Sequence, residues 1–279
     1  MQAAEATYGG IALEECVFAG EGEAVPARKQ DSIDGINIEE RQAAAEIESV
    51  GKYEPKLTEN GIPADVLAKL LPGDDILELA EPKVAGGVVY RFVKRSFDIL
   101  SCAAALVVCA IPMAIIAVKI KSESPGLVIY AQRRVGKDGK IFNVYKFRSM
   151  YMDAEARGAQ WAQGDDPRVT PFGKVMRKTR MDEIPQFWNV LKGDMSLIGP
   201  RPERPAFCAE FEKRIHGWHY RTYVKPGLSG LAQVSGGYDL LPREKVLLDM
   251  EYLEKRSLGM DWGIILKTLG VVGTGKGAR

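Results

Sequence analysis

The sequence predicts an α/β (α+β) fold, in which a helix-rich body carries a small sheet and is joined to a re-entrant membrane helix and to amphipathic interfacial helices. Three observations lead to this prediction. Residues 99–118 form an uncharged run of about 20 residues, long enough to cross the hydrocarbon core of a bilayer as a straight helix. Residues 127–148 alternate as a strand, a turn and a second strand. Helical patterns then fill most of the chain up to residue 271.

The first 89 residues differ from the rest in composition and charge. They carry 18 acidic and 7 basic side chains, a net charge of −11, and residues 1–60 are rich in Ala, Glu and Gly without sustained periodicity. Such a segment is expected to be partly disordered, with short helices at 38–50 and 63–71 and a docking segment at 74–79. We therefore divide the chain into an acidic extension at 1–89, a membrane helix–break–helix at 90–122 and a cytoplasmic body at 123–279.

The remaining chain is basic, with 19 acidic and 31 basic side chains and a net charge of +12. A basic body favours an anionic partner, such as phosphate groups, an anionic membrane leaflet or nucleic acid. Nucleic acid is not expected, because the sequence has no helix-turn-helix, zinc-finger or RNP-type signature. The alternative, that the acidic extension merely balances the body, stays open.

Two features of the apolar run favour a re-entrant helix over a simple crossing. Pro112 lies inside the run, where it removes a backbone donor and predicts a break. Both flanks are basic, which places both ends on the cytoplasmic side; the residues are Arg91, Lys94 and Arg95 before the run, and Lys119 and Lys121 after it. The alternatives are a transmembrane helix with a proline kink and, less readily, a buried core helix.

The body begins with a short strand at 127–131 and a hairpin at 135–148, whose turn is formed by residues 136–139. Helices are predicted at 152–163, 171–179, 184–191, 203–220 and 242–255, followed by an amphipathic segment at 260–271. Bulky residues mixed with Arg and Lys, among them Phe207, Phe211, Trp218 and Tyr220, suit either a membrane–water interface or the core of a soluble fold.

The chemistry is expected at the adjacent carboxylates Asp182 and Glu183. Adjacent side chains on a helix diverge by about 100°, so one carboxylate can face a substrate while the other binds a metal or a proton. Carboxylate oxygens suit Mg²⁺, and a carboxylate can attack phosphorus to give an acyl phosphate. With only two histidines and four cysteines without metal-ligand spacing, the chain offers little for His-based catalysis or a zinc site.

Basic residues on both sides of this pair could neutralise a diphosphate. The run of residues 193–202 ends in Gly-Pro-Arg-Pro, a rigid turn that presents Arg201, and the planar guanidinium group matches phosphate oxygens. A second cluster lies in the hairpin; its members are Arg133, Arg134, Lys146 and Arg148.

Four sequence blocks carry a resemblance to a known family. They read KRSFDIL, SPGLVIYAQRRVGKDGKIFNVYKFRSM, DDPRVTPFGKVMRKTRMDEIPQFWNVLKGDMSLIGPRPERP and YRTYVKPGLSGLAQVSGGYD. In order and spacing, the stretch from Tyr90 to about Leu269 resembles the bacterial sugar transferases, the monotopic polyprenyl-phosphate phosphoglycosyl transferases. With 89 residues before Tyr90, the chain is similar to the compact form with an acidic N-terminal extension.

The resemblance implies a re-entrant helix in the inner leaflet and a UDP-sugar:polyprenyl-phosphate sugar-phosphotransferase on the cytoplasmic face of the bacterial inner membrane. A two-step reaction with undecaprenyl phosphate and release of UMP would be the first membrane step of a surface glycan. By motif position, Asp182 is the nucleophile and Glu183 holds Mg²⁺. The implied phosphate contacts are Arg148, Arg177, Arg201, Lys146 and Arg133, and Gln233 is a candidate nucleotide contact.

The sequence leaves several points open. The sugar is not identified, and a membrane-bound homodimer is the candidate oligomer. A catalytically silent membrane scaffold for glycan assembly is the alternative function. The chain departs from the common family pattern at Arg180-Met181 before the carboxylate pair, at Leu231 and at residues 235–238, and the last of these bears on nucleotide or sugar contacts.

Overall fold

The structure is a computed structural model that describes residues 57–154 and 166–274, all within one compact unit. Two sequence predictions lie outside the described residues: the helix at 38–50, with the rest of the extension before residue 57, and most of the helix at 152–163. The helices are α1 Ala64–Leu70, α2 Val88–Glu123, α3 Pro171–Lys178, α4 Gln186–Lys192, α5 Pro205–Glu212, α6 Leu231–Ser235, α7 Pro242–Lys255 and α8 Leu258–Thr274.

The strands are short and pair two by two. They are β1 Leu77–Glu78, β2 Ile129–Val135, β3 Ile141–Phe147, β4 Ser196–Ile198, β5 Ile215–His216 and β6 Gly227–Ser229. Strands β1 and β5 are parallel, β2 and β3 are antiparallel, and β4 and β6 are parallel. The predicted class, helix-rich with small sheets, is confirmed.

Helix α2 contains the apolar run and is the one helix of the described residues that is long and apolar enough to cross a membrane. Its 36 residues span about 54 Å at 1.5 Å per residue. Helical hydrogen bonding continues through Pro112, where the sequence predicted a break between two helices. A proline removes a single backbone donor, and the bonds of the neighbouring residues are sufficient to carry the helix past it.

The N-terminal part of α2 is fastened to the body by two side chains of the KRSFDIL block. Arg95 donates to the backbone carbonyls of Val190 and Leu191 at 2.6 and 2.8 Å, at the C-terminal end of α4. Asp98 is buried and accepts a hydrogen bond of 2.7 Å from Ser196 Oγ at the start of β4. These contacts fix where the helix leaves the body.

The C-terminal part of α2 is fastened to the same body. Ile116 and Ile120 are buried against Phe147 and Met176, and the backbone N–H of Phe172 donates to Glu123 Oε1 at 2.8 Å. Between the two anchored ends, the middle of the helix is exposed; the most exposed side chains there include Val107, Val108 and Ile111. Helix α2 therefore contacts the body at both ends and presents an apolar middle.

The predicted hairpin is confirmed, and its first strand is longer and later than the predicted strand at 127–131. Strands β2 and β3 pair from Ile129↔Phe147 to Val135↔Ile141. In the turn, Asp138 and Gly139 adopt φ angles of 54° and 75°, which Asp and Gly tolerate better than most residues.

The aromatic residues of the predicted 203–220 helix belong to the core, so the membrane-interface interpretation of this cluster is wrong. Phe207, Phe211 and Trp218 are at most 1% exposed. The helix also ends at Glu212, because Ile215–His216 pairs with β1 and Gly217 turns the chain with a φ of 92°. Residues 57–87 contribute Ile62, Leu70 and Leu71 to the same hydrophobic cluster as Phe207, Phe211 and Trp218. The predicted docking of residues 74–79 is confirmed, because β1 pairs with β5.

Glycines allow β4 and β6 to approach closely, and this contact supports the turn that carries Arg201. The N–H of Gly199 donates to Ser229 O at 2.9 Å, and that of Gly227 donates to Pro200 O at 2.9 Å. A Cβ atom on Gly227 would lie 2.1 Å from the backbone nitrogen of Gly199, and backbone atoms cannot move aside as a flexible side chain does.

We therefore expect Gly227→Ala to lower the free energy of unfolding by about 1–3 kcal/mol, the usual cost of overpacking. The matched control is Gly259→Ala in α8, where a Cβ meets no atom within 4 Å and Ala favours the helix. Denaturant unfolding in one detergent measures both variants. Equal stability of the two variants would contradict the close backbone packing described here.

Candidate active site

The two predicted carboxylates lie in a helical turn, Met181–Glu183, between α3 and α4. Helix α3 ends at Lys178, and Arg180 adopts the left-handed conformation with a φ of 56°, which redirects the chain before the turn. Asp182 is 8% exposed and lines a cavity of about 760 Å³. The carboxylate pair is thus withdrawn from bulk water while remaining open to the cavity.

Strand β3 and helix α4 are held together beside this turn. Asn189 is fully buried; its Oδ1 accepts from the backbone N–H of Tyr145 at 3.0 Å, and its Nδ2 donates to Asn143 O at 2.7 Å. This bridge brings Lys146, the next residue of β3, to the carboxylates.

Glu183 is held by two cations. Lys146 Nζ donates to Glu183 Oε1 at 2.9 Å, and Arg201 Nη2 donates to the same oxygen. Burial acts to raise the pKa of Glu183, but the charges and hydrogen bonds of Arg201 and Lys146 outweigh it and hold the pKa well below its ordinary value. Glu183 is therefore ionised across the neutral range.

The pKa of Asp182 is shifted in the opposite direction, above its ordinary value. Burial raises its pKa to about 6, and the adjacent charge of Glu183 adds to the increase, while Lys146, Arg177 and Arg201 act against it. Two neighbouring carboxyl groups with pKa values displaced in opposite directions are a feature of sites in which the two have different roles.

Four of the five predicted phosphate contacts line the cavity, and they are Lys146, Arg148, Arg177 and Arg201. Arg177 Nε donates to Ser149 Oγ at 2.9 Å. Arg148 has a structural task, because its Nη2 donates to Ser124 O at 2.7 Å and its Nη1 donates to Pro125 O, just beyond α2. A phosphate contact from Arg148 would compete with these bonds.

The fifth predicted contact, Arg133, does not line the cavity. Successive side chains of a strand point to opposite faces, so Arg133 is exposed on the face of the hairpin away from the cavity. Its neighbour Arg134 lines the cavity and donates to Pro202 O at 3.0 Å and to Glu203 Oε2 at 3.3 Å. The pairing Tyr130↔Lys146 puts Arg134 on the same face as Lys146, and this register is known only from the structure.

Two further arginines of the cavity were missed by sequence reasoning. Arg204 and Arg221 both line it. Arg221 is buried, its Nε donates to Asp249 Oδ2 at 3.0 Å, and its guanidinium lies 4.4 Å from the ring centre of Trp218. No local pattern indicates these residues, because α5 and the 218–223 turn reach the cavity only through tertiary packing.

Gln233 lies in α6 and lines the cavity, as its predicted role requires. Both its Oε1 and Nε2 are buried without a hydrogen-bond partner. An unsatisfied buried amide is costly, so a donor and an acceptor at this position favour a ligand that supplies the complementary pair.

The donor set fits Mg²⁺ that arrives with its substrate rather than in a protein cage. Among the described residues no group of three or more His, Cys, Asp and Glu side chains could hold a metal ion. Mg²⁺ is commonly bound through one or two carboxylates together with water and substrate phosphates, and Glu183, the predicted ligand, would supply one of them.

Comparison with known proteins places these features in context. Residues 89–275 match the family model described as bacterial sugar transferase. Similar proteins include the UDP-N-acetylgalactosamine-undecaprenyl-phosphate N-acetylgalactosaminephosphotransferase of Aeromonas hydrophila, 50% identical over 68% of this chain and 46% of the relative. The UDP-glucose:undecaprenyl-phosphate glucose-1-phosphate transferase of Escherichia coli K12 is 38% identical over 71% of this chain and 43% of the relative.

The undecaprenyl-phosphate galactose phosphotransferase of Salmonella typhimurium is 40% identical over 65% of this chain and 40% of the relative. This chain therefore spans somewhat less than half the length of these three relatives. Their names share the lipid phosphate acceptor and differ in the sugar. Similarity at this level supports a reaction type and leaves the sugar open.

Proposed function

This chain belongs to the bacterial sugar transferase family, and from that premise we propose that it moves a sugar 1-phosphate from a UDP-sugar to undecaprenyl phosphate or a related polyprenyl phosphate and releases UMP. One observation carries the proposal: a buried carboxyl group, Asp182, faces a large cavity beside an ionised partner, Glu183, and is surrounded by basic side chains. A site of this kind suits two anionic substrates and a carboxylate nucleophile.

In the first step, an oxygen of Asp182 forms a bond to the phosphorus attached to the sugar. The bond from that phosphorus to the bridging oxygen of the diphosphate breaks, and UMP leaves with the electron pair. In the second step, a phosphate oxygen of the lipid attacks the same phosphorus and releases the carboxylate. Of the two acids, Asp182 is the better candidate nucleophile because Glu183 is occupied by Lys146 and Arg201.

The basic residues lower the cost of bringing an anionic nucleophile to a diphosphate. Lys146, Arg177 and Arg201 all favour the ionised form of Asp182, so they lie where a negative charge is needed. Mg²⁺ held by Glu183 would neutralise part of the charge on the diphosphate oxygens. In the absence of substrate, Glu183 keeps Lys146 and Arg201 in place, and this pairing preorganises the site.

The membrane placement proposed is monotopic, on the cytoplasmic face of the inner membrane. The contacts of Arg95 at one end of α2 and of Glu123 at the other are made with the same body. A helix that crosses the hydrocarbon core places its two ends on opposite sides of the membrane, where a single body could not contact both. Reporter cysteines at Val88 and at Ser122 should be labelled from the same side of sealed vesicles, and labelling from opposite sides would contradict this placement.

The reaction is tested by release of UMP. Purified protein in nanodiscs receives Mg²⁺, undecaprenyl phosphate and each of a panel of UDP-sugars, and the lipid fraction is assayed for the sugar phosphate. We expect UMP and lipid-linked product in equal amounts with at least one donor. A catalytically silent scaffold, the alternative function, releases no UMP from any donor although the protein is folded and membrane-bound.

The pH dependence of the first step should report Asp182. Its raised pKa means that it is protonated, and so unreactive, below about pH 6 and ionised above it. We expect kcat/KM for the UDP-sugar to fall about tenfold per pH unit below pH 6 and to level off above it. The diphosphate diester of the donor has no ionisation in this range, so a flat profile from pH 5 to 7 would contradict a raised pKa for Asp182 in the working, Mg²⁺-loaded site.

A further inference from the structure

The cavity that contains the carboxylates has a second, apolar end between α2 and α8. From these two helices it is lined by Phe97, Ser101, Ile265, Thr268, Leu269 and Val271, none of which is charged. Three basic residues of the same lining, Lys146, Arg177 and Arg201, act on Asp182 and form its cationic part. A single cavity thus joins a cationic compartment to an uncharged one.

Side-chain contacts hold α2 and α8 together close to this opening, and we call them the lock. Asp261 of α8 accepts hydrogen bonds of 2.9 Å from both Lys94 Nζ and Tyr90 Oη of α2. One turn further along, the rings of Phe97 and Trp262 meet edge to face with centres 6.2 Å apart. Beyond this lock, Ser101 of α2 and Ile265 of α8 both line the cavity, so the cavity lies between the two helices there.

The outer rim of the opening is apolar and exposed. Leu100 on α2 is 71% exposed, and Leu266 and Leu269 on α8 are 54% and 64% exposed. This rim continues the exposed apolar surface of the middle of α2. An opening of this kind faces the hydrocarbon region of a membrane into which α2 is inserted.

Apolar side chains also line the cavity near the carboxylates. Phe187, one turn after Glu183, and Leu197, at the centre of β4, both line the cavity and pack against the cluster that contains Cys102 of α2. A ligand that fits throughout has an anionic head and an apolar tail.

We propose that the gap between α2 and α8 admits the isoprenoid chain of the lipid acceptor, with Ser101, Ile265 and Thr268 contacting its first isoprene units and its phosphate reaching the basic end of the cavity. The proposal rests on the proposed function, because it assigns the second substrate of that site. The lock at Asp261 holds the two helices at a fixed spacing, so the acceptor enters sideways from the bilayer while the soluble donor enters from the water side.

Steric blocking tests the gap kinetically. Ser101→Trp and Ile265→Trp fill it, whereas Val107→Trp and Leu258→Trp place the same side chain at exposed positions of the same two helices, outside the cavity lining and its rim. We expect the first pair to raise KM for undecaprenyl phosphate about tenfold or more, with KM for the UDP-sugar within about twofold of wild type; that is a loss of about 1.4 kcal/mol of binding. The second pair should leave both KM values unchanged. Equal effects on both substrates, or equal effects of the two pairs, overturn the proposal.

Photo-crosslinking of the unmodified protein gives a readout that requires neither turnover nor a folded variant. A polyprenyl phosphate with a diazirine in its first isoprene units should label peptides containing residues 97–101 and 265–271 in nanodiscs. Undecaprenyl phosphate, but not phosphatidylglycerol, should compete for the label.

The two experiments separate this proposal from the proposed function. Competable labelling at the gap without UMP release would keep the lipid site and reject the proposed reaction. UMP release with labelling elsewhere would keep the reaction and overturn the gap as the acceptor site.

Discussion

Asp182→Asn is expected to lower kcat by at least about 10³-fold, the largest loss of any single substitution in this site. The amide has nearly the shape of the carboxylate but offers no anionic oxygen to attack phosphorus. Because the pKa of Asp182 is raised in the folded protein, its ionised form at pH 7 opposes folding; this cost begins to fall as the pH drops below about 6 and is gone only below the ordinary value of 3.8. The variant should therefore unfold at an equal or higher temperature than wild type while losing activity.

Two measurements check this result. UMP release gives kcat, and labelled donor phosphate in the absence of acceptor gives the covalent intermediate, which should form on the wild type and not on the variant. Asp138→Asn is the matched control, since Asp138 is exposed in the hairpin turn and outside the cavity lining, and Asn tolerates its positive φ. Release of UMP by Asp182→Asn at a rate close to that of wild type would reject the nucleophile.

Arg201→Met is expected to lower kcat/KM for the UDP-sugar by about 10²-fold, the usual cost of removing one charged donor from a transition state. It should also move the acid limb of the pH profile above pH 6. The reason is that Arg201 favours the ionised form of both carboxyl groups, so its removal raises the pKa of Asp182 further. A purely structural role for Arg201 would not move the pH profile.

Arg133→Met makes the same chemical change on the face of the hairpin that is turned away from the cavity. It should leave kcat/KM and the pH profile unchanged. If the two substitutions had equal effects, overall charge rather than the position of Arg201 would explain the loss, and the exclusion of Arg133 from the site would fail as well.

The sequence predicts the hairpin but not which of its side chains face the cavity. The sequence identified the hairpin and its turn at residues 136–139, because the alternation and the turn residues are local signals. It selected Arg133 and gave less weight to Arg134, because the face that a strand presents depends on register, and a shift of one residue exchanges the two faces. The observed pairing of Tyr130 with Lys146 decides the question.

For the helices too, the sequence predicts local features but not the contacts that depend on tertiary packing. The apolar length of α2 and the bounds of α7 followed from the sequence, because burial and helix periodicity are repeated over many residues. Pro112 predicts a break, whereas the helical hydrogen bonds of α2 continue through it, because the loss of one donor does not end a helix whose other bonds remain. The aromatic residues Phe207 and Trp218 fitted both a membrane interface and a core, and only packing against Ile62 and Leu71 of the N-terminal segment resolved it.

The sequence by itself determined the carboxylate pair Asp182 and Glu183, the rigid turn before Arg201, the basic body and the apolar anchor, since each depends on residues adjacent in the chain. Only the tertiary structure decided the direction in which each carboxyl pKa is displaced, because the pKa of Glu183 depends on Lys146 and Arg201, which lie 37 and 18 residues from it. It also joined α2 to α8 through Asp261, 167 residues from Lys94, and so formed the two-ended cavity. Electrostatic and apolar contacts act through space, and a pattern read along the chain does not contain their distances.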